Sequence, residues 1–360
     1  MARLRDPGDD EKENGHTMKR RTLGATGMSV SEVALGAMMF GARGNPDHDE
    51  SVRMIHTALD AGVNLIDTAN VYSLGESEEI VGKALKGRRD TVVLATKFGL
   101  PMGPDANERG GSPRYVKRAI EDSLRRLGTD YVDLYQLHRA DYDTSLDETL
   151  AALSDLVHAG KVRAIGSSMF PAERLVEAQW AAERGGHRPF LSEQLRYSIL
   201  SRAAEGHVLP AARRYDMGVL AFSPLNGGWL SGRSDPTKGK RPLAAAKDFD
   251  LTNPANQAKF AAVEQLTALA GAAGLLLSHL AIAFVRSHPA VTSVLMGPRT
   301  PEQLDDLLAG VDVELSEDVL DRIDDIVRPG TELNPDDNYF TAPPALLDKS
   351  LRRRHQSRDR

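Results

Sequence analysis

Residues 64–85 read NLIDTANVYSLGESEEIVGKAL. A short apolar run, Leu65 and Ile66, meets Asp67, and Tyr72 follows five positions later. An acidic turn then opens a segment whose apolar residues Ile80, Val81, Ala84 and Leu85 recur at helical spacing. The stretch predicts a buried strand, a loop and an amphipathic helix, the repeating unit of a parallel sheet covered by helices. A carboxylate at the end of such a strand needs a partner, because a buried unpaired charge costs several kcal/mol.

The same unit recurs on both sides. Candidate strands are VALGA from 33, NLIDTA from 64, VVLATKF from 92, YVDLYQLH from 131, VRAIGSS from 162, FLSEQL from 190, GVLAFSPL from 218 and TSVLMG from 292. Helical patterning fills 48–61, 77–86, 114–127, 146–159, 172–184, 205–215, a pair within 255–288, and 301–309. Gly62, Gly128 and Gly160 stand just past a last apolar turn, where a left-handed residue is easiest as glycine. Eight such units in one chain predict an α/β fold, a (β/α)8 TIM barrel, over an open doubly wound sheet. RRTLGATGMSVSEV, residues 20–33, reads as a hairpin capping the barrel floor. The expected organisation is a loose amino-terminal tail over 1–17, the barrel over 18–330, and a carboxyl-terminal extension over 331–360. Its part from about 341 onward is read as another loose tail, with five arginines and a lysine in residues 349–360. Residues 226–254, rich in Gly, Pro, Lys and Asp, read as a lid or binding loop.

Composition narrows the function. A formal charge of −6 over 360 residues offers no field to gather nucleic acid or anionic lipid, so neither is an expected partner. The chain has no cysteine, which removes disulfides, thiolate nucleophiles and cysteine-bound metals together. The first seventeen residues carry no apolar run of the secretory kind, and a cytoplasmic location is the expectation. Residues 268–285 are apolar but interrupted, and read as two helices broken near Gly274 rather than a membrane span. No H-E-x-x-H or paired histidines occur, so no metal is expected.

Each strand ends on a polar residue or glycine: Asp67, Lys97, His138, Ser167 and Ser168, Gln194, Ser223, then Gly297 with Arg299 behind it. In a barrel these ends share one rim, where active sites are built. A lone Ser or Gln there is ordinary capping, but Asp, Lys and His on three consecutive strands demand a chemical reason. Asp67 and Lys97, expected at equal depth, should pair and keep the lysine charged. Tyr72 is then expected to fold over Lys97, which would draw the phenol below its usual value of about 10 and make it a proton donor. His138 would hold the same substrate oxygen as charge develops on it.

A proton donor alone supplies no hydride, so a cofactor or an enolisable substrate is needed. No two glycines stand two apart, so G-x-G-x-x-G is absent, and the P-loop pattern is absent too. MGPRTPEQL, 296–304, offers either a phosphate site at Gly297 and Arg299 or a plain helix start capped by Thr300.

With these residues assembled, the chain resembles the aldo-keto reductase family over residues 18–328. The resemblance rests on LGAMMFG, DTANVYSLGESEEIVGKAL, LATKFG, SLRRLGTDYVDLYQLHR, GKVRAIGSSMF, AFSPLNGGWLSGR and GPRTPEQL. It is closer to the bacterial reductases resembling potassium-channel β subunits than to the aldose-reductase branch. The resemblance implies a catalytic tetrad of Asp67, Tyr72, Lys97 and His138, with Tyr72 as general acid. It implies Ser168 and Gln194 at the nicotinamide carboxamide, Phe222 stacked on that ring, and Ser223, Leu225 and Gly227 in a pyrophosphate loop. Gly297, Arg299 and Gln303 would then meet the adenosine 2′-phosphate, making the cofactor NADPH/NADP+ and the partner a small carbonyl compound. Met38, with Tyr72 and His138, would line the substrate pocket. Met169 stands where the family usually has Asn or Arg, Leu307 where it commonly has an adenine-contacting Asn, and Met38 and Met39 replace an aromatic residue. Two other functions compete: a scaffold or regulatory subunit like the channel β subunits, and a non-redox enzyme using Lys97 as a Schiff base. His138, where the channel subunits carry Asn, speaks against the first, and the Asp67 partner against the second.

Overall fold

Apolar, β-branched runs form strands buried on both faces when helices cover them, and the computed structural model realises that pattern across residues 18–232, 246–338, 340 and 342–353. A hairpin of Arg20–Thr22 (β1) and Ser29–Ser31 (β2) leads into eight strands. These are Val33–Gly36 (β3), Leu65–Asp67 (β4), Val93–Phe98 (β5), Val132–Leu137 (β6), Val162–Ser168 (β7), Ser192–Arg196 (β8), Gly218–Phe222 (β9) and Ser293–Met296 (β10). They close in the order β10-β3-β4-β5-β6-β7-β8-β9, every neighbouring pair parallel, which is the predicted (β/α)8 barrel. All eight expected strands are present.

The helices are His48–Asp60 (α1), Glu76–Leu85 (α2), Pro113–Leu127 (α3), Leu146–His158 (α4), Ala172–Gly185 (α5), Val208–Arg214 (α6), Pro254–Ala272 (α7), Leu277–Ser287 (α8), Pro301–Ala309 (α9), Glu317–Ile326 (α10) and Pro344–Leu347 (α11). Gly62, Gly128 and Gly160 adopt φ of 92°, 62° and 74°, the left-handed stops expected of them. The segment over 268–285 breaks at Gly274 (φ 70°), so α7 and α8 meet at 93°. No single helix among the described residues is long and apolar enough to cross a membrane. Residues 1–17, 233–245 and 354–360 lie outside the described residues, so much of the expected lid loop and both outermost tails do too.

Two apolar clusters divide the interior. One fills the barrel itself with Ala34, Leu65, Ala95, Leu134, Ala164, Leu220 and Leu295, joined from below by Leu23 and Val30 of the hairpin. The other lies between sheet and helices and contains, among others, Ile66, Leu94, Tyr135, Ile165 and Val294. The hairpin plugs the floor closely: a Cβ on Gly24 would lie 2.4 Å from the Gly218 nitrogen and 2.8 Å from the Leu191 oxygen, where β8 and β9 begin. With that end closed, the polar strand ends gather at the opposite rim.

Candidate active site

β4 is short because its chain continues along β5 without being a regular strand: Thr68 N–H donates to Ala95 O at 2.9 Å and Asn70 N–H to Lys97 O at 3.1 Å. Then Ser73 and Leu74 turn left-handed, with φ of 47° and 54°. Such backbone costs roughly 1–2 kcal/mol per non-glycine residue, and here it folds the chain back directly after Tyr72. Ser73 secures the turn by donating to Phe40 O at 3.2 Å. Tyr72 is thereby carried over Lys97.

Lys97 is fully buried, and its ammonium meets three acceptors. It donates to Asp67 Oδ1, to Thr68 O at 2.9 Å and to the Tyr72 hydroxyl at 3.1 Å. Asp67 and Lys97 are not at equal depth, however: the register sets Asp67 opposite Ala95 and Lys97 opposite Gln136, so the lysine reaches back to its partner. The other oxygen of Asp67 accepts from Gln136 Nε2 at 3.1 Å and from Gln194 Nε2 at 2.8 Å. Gln136 was not among the expected site residues. Its signal was its place two residues before His138, on the same face of the extended chain that runs out of β6.

Burial is the largest influence on Lys97 and works to lower it, but Asp67 and Tyr72 together hold it above the ordinary lysine range. The ammonium form is therefore secured. The expected lowering of Tyr72 is not observed. Burial pushes the phenol above its ordinary value, and the pull of Lys97 only partly opposes it, with Asp67 adding to the rise. Tyr72 thus keeps its proton, and because its oxygen accepts from Lys97, its own O–H is left to donate elsewhere. His138 lies edge-on to Tyr72, ring centres 5.7 Å apart at 82°, and its buried Nδ1 has no hydrogen-bond partner among the described residues. Burial, then the charges of Lys97 and Arg139, push His138 well below the usual histidine range, so the ring is neutral.

The remaining expected residues form an arc along the rim. Ser168 is buried opposite Gln194 on the neighbouring strand. Met169 takes φ of 55° and sends its side chain into the apolar layer rather than toward the mouth. Phe222 is half-buried at the end of β9 and touches both apolar clusters, followed by Ser223 (φ 56°), half-buried Leu225 and Gly227 (φ 65°). Next come Gly297 and α9, where Thr300 accepts from the Gln303 N–H as an N-cap while Gln303 Oε1 accepts from the Arg299 N–H at 2.9 Å. The helix-start reading of this stretch is thus observed, and Arg299 directly precedes its cap. Leu307 is buried in the apolar layer. Met38, in the 3-10 turn that follows β3, is 40% exposed. Among the described residues no group of acidic or histidine side chains is arranged to hold a metal.

Comparison with known proteins gives the family of the barrel. Residues 32–328 match the model of the aldo/keto reductase family. The chain is 39% identical to the uncharacterized oxidoreductase YrpG of Bacillus subtilis, covering 88% of this chain and 98% of that protein. It is 35% identical to the aldo-keto reductase YhdN of the same organism, over 81% and 88%. It is also 34% identical to a probable voltage-gated potassium channel subunit beta of Oryza sativa, over 86% and 97%. A barrel carrying a buried Asp–Lys–Tyr chain at its rim, matched by that family over most of its length, belongs to the aldo/keto reductase family of oxidoreductases.

Proposed function

We propose that this protein reduces an aldehyde or ketone to an alcohol with NADPH, Tyr72 giving the proton. The observation that carries the reading is the hydrogen-bonded chain from Asp67 through Lys97 to Tyr72. The rim is suited to a dinucleotide: among the described residues nothing beyond the chain neighbours lies within 4 Å of a Cβ built on Gly227 or Gly297, and the buried Asn226 Oδ1 has no hydrogen-bond partner. Ser168, Gln194 and Phe222 would hold the nicotinamide end, Ser223, Leu225 and Gly227 the pyrophosphate, and Arg299 with Gly297 and Gln303 a 2′-phosphate. When bound, the reduced cofactor supplies the hydride.

The protein's own part is electrostatic. A carbonyl oxygen within reach of Tyr72 receives the phenol proton as negative charge grows on it. Lys97, already bonded to that phenol oxygen, stabilises the phenolate left behind, and Asp67 keeps the lysine in place and charged. Neutral His138, beside the Tyr72 ring, offers an N–H to the same carbonyl oxygen, and with Met38 it shapes the substrate pocket. The secured ammonium of Lys97 speaks against a Schiff-base lysine. His138 speaks against a purely regulatory subunit. A small carbonyl substrate, no nucleic acid or membrane partner and a cytoplasmic location complete the proposal, with a barrel domain over 18–330.

Tyr72→Phe removes the hydroxyl, and with it both the acidic proton and one acceptor of Lys97, while keeping the ring. Carbonyl-dependent oxidation of NADPH, followed by its near-ultraviolet absorbance with an aromatic aldehyde, should fall by about 10²–10⁴-fold while NADPH binding persists. Turnover at the parental rate would refute the role of Tyr72.

A further inference from the structure

Behind the rim lies a carboxyl group that the reaction does not use. Glu193 sits on β8 next to Gln194, but points to the opposite face of the strand and is fully buried. Arg139 and the hydrogen bonds to Glu193 favour its charged form, but burial outweighs them. Its two oxygens are used on one short segment. Oε2 accepts from Ser167 Oγ at 2.5 Å, and Oε1 accepts from the Phe170 N–H at 3.0 Å. The Met169 N–H donates to Gln194 O at 2.9 Å. One carboxyl and the adjoining carbonyl therefore bracket Ser168 and Met169.

That segment needs holding. Met169 is a left-handed non-glycine residue (φ 55°), a conformation that costs roughly 1–2 kcal/mol. Its side chain is committed to the apolar layer and supplies no polar group at the mouth. The position of Ser168 then depends on what grips the turn from behind.

We propose that Glu193 is a positioning residue: its buried carboxyl holds the 167–170 turn so that Ser168 stays beside Gln194, where the nicotinamide end of the cofactor docks. This rests on the reading of the mouth given above. Burial pushes Glu193 up to about 8, so around neutral pH the carboxyl is mostly protonated. In that form it donates to Ser167 Oγ, whose own hydrogen has Ser192 O at 3.4 Å as an alternative acceptor, and Oε1 still accepts from Phe170. A glutamine imitates this neutral state; an alanine abolishes the grip.

The test is NADPH affinity, measured at pH 7 by tryptophan quenching or calorimetry, alongside thermal unfolding of the same proteins. Wild type that fails to bind NADPH would sink the reading of the mouth, not this inference alone. Given binding, Glu193→Ala should raise Kd by at least about tenfold, the loss expected of one buried hydrogen bond of 1.4 kcal/mol. Glu193→Gln should restore Kd to within about threefold of wild type. Ser167→Ala, which removes one of the carboxyl's partners without leaving a buried charge alone, should weaken binding in the same direction. Should Glu193→Ala fail to fold, Ser167→Ala and Glu193→Gln decide the matter. A folded Glu193→Ala or Ser167→Ala that binds NADPH within twofold of wild type overturns the inference.

Discussion

His138 is held neutral by burial and by the nearby positive charges of Lys97 and Arg139, which disfavour a second cation in the same mouth. A neutral ring can donate to a carbonyl oxygen without first losing a proton. The rate of carbonyl reduction under saturating NADPH should therefore show no ionisation step near pH 6.5, the ordinary histidine value, and should run level from about pH 6 to 7.5. A pH–rate profile bending near 6.5 would mean that the ring titrates and that the charge balance of the mouth is misread. Asp67, Lys97, Tyr72 and His138 were readable from sequence because charge at the end of a buried strand is expensive and calls for a partner. Two details were not readable. Strand register, which sets Lys97 one pleat repeat beyond Asp67, depends on the whole barrel. The rise rather than fall of Tyr72 depends on how deeply the mouth buries it, and burial is a property of the closed fold.

Strands were the most readable elements, because each is a compact apolar run bounded by turn residues, and all eight stand where the pattern put them. Helix ends were less so. The helix expected from 205 begins at Val208, since residues 203–206 take a tighter 3-10 turn first. Glu317–Ile326 was missed altogether, although Ser316 caps it and Val319 and Ile323 are buried at helical spacing. Its remaining residues are mostly acidic, which masked a narrow apolar stripe. The hairpin was anticipated as a floor cap, but only the structure shows how tightly it fits. Gly24 and Gly27 both have positive φ, at 49° and 72°, yet a Cβ on Gly24 meets three backbone atoms within 2.8 Å and a Cβ on Gly27 meets nothing within 4 Å. Gly27→Ala should therefore cost only the left-handed strain, about 1–2 kcal/mol. Gly24→Ala adds a clash with immovable backbone and should cost about 3 kcal/mol or more. Chemical denaturation of the two variants side by side separates the terms, and equal losses would show that the floor contact contributes nothing.

Residues 331–338 are tied back onto the barrel by a buried polar cluster, linking the end of the chain to the rim. Asp337 accepts from Lys259 Nζ at 2.6 Å and lies 3.4 Å from Arg196, two residues beyond Gln194. Glu332 accepts from Ser201 at 2.8 Å, and burial pushes it up to about 7. With Glu193 at about 8, the fold thus holds two carboxyls that bind a proton more tightly folded than unfolded, where glutamate sits near 4.5. Above pH 4.5 the unfolded chain has released these protons and the folded chain has not, so unfolding releases them and rising pH favours it. Their stabilisation is complete below about 4.5 and is lost as pH climbs through 7 and 8. His138 and His288 act in the opposite sense, because burial lowers both below 6.5 and the unfolded chain takes up protons that the folded chain refuses. Below pH 6.5 the two effects offset each other. Above about 6.5 the carboxyls set the sign, and stability should fall by up to about 1.4 kcal/mol per pH unit for each, until Glu332 is spent near 7 and Glu193 near 8. Thermal unfolding across this interval should show Tm declining with pH, and Glu193→Gln together with Glu332→Gln should flatten the decline. A Tm that rises from pH 6.5 to 8 would mean that these two carboxyls are ionised in the folded protein, and that something other than burial sets their charge.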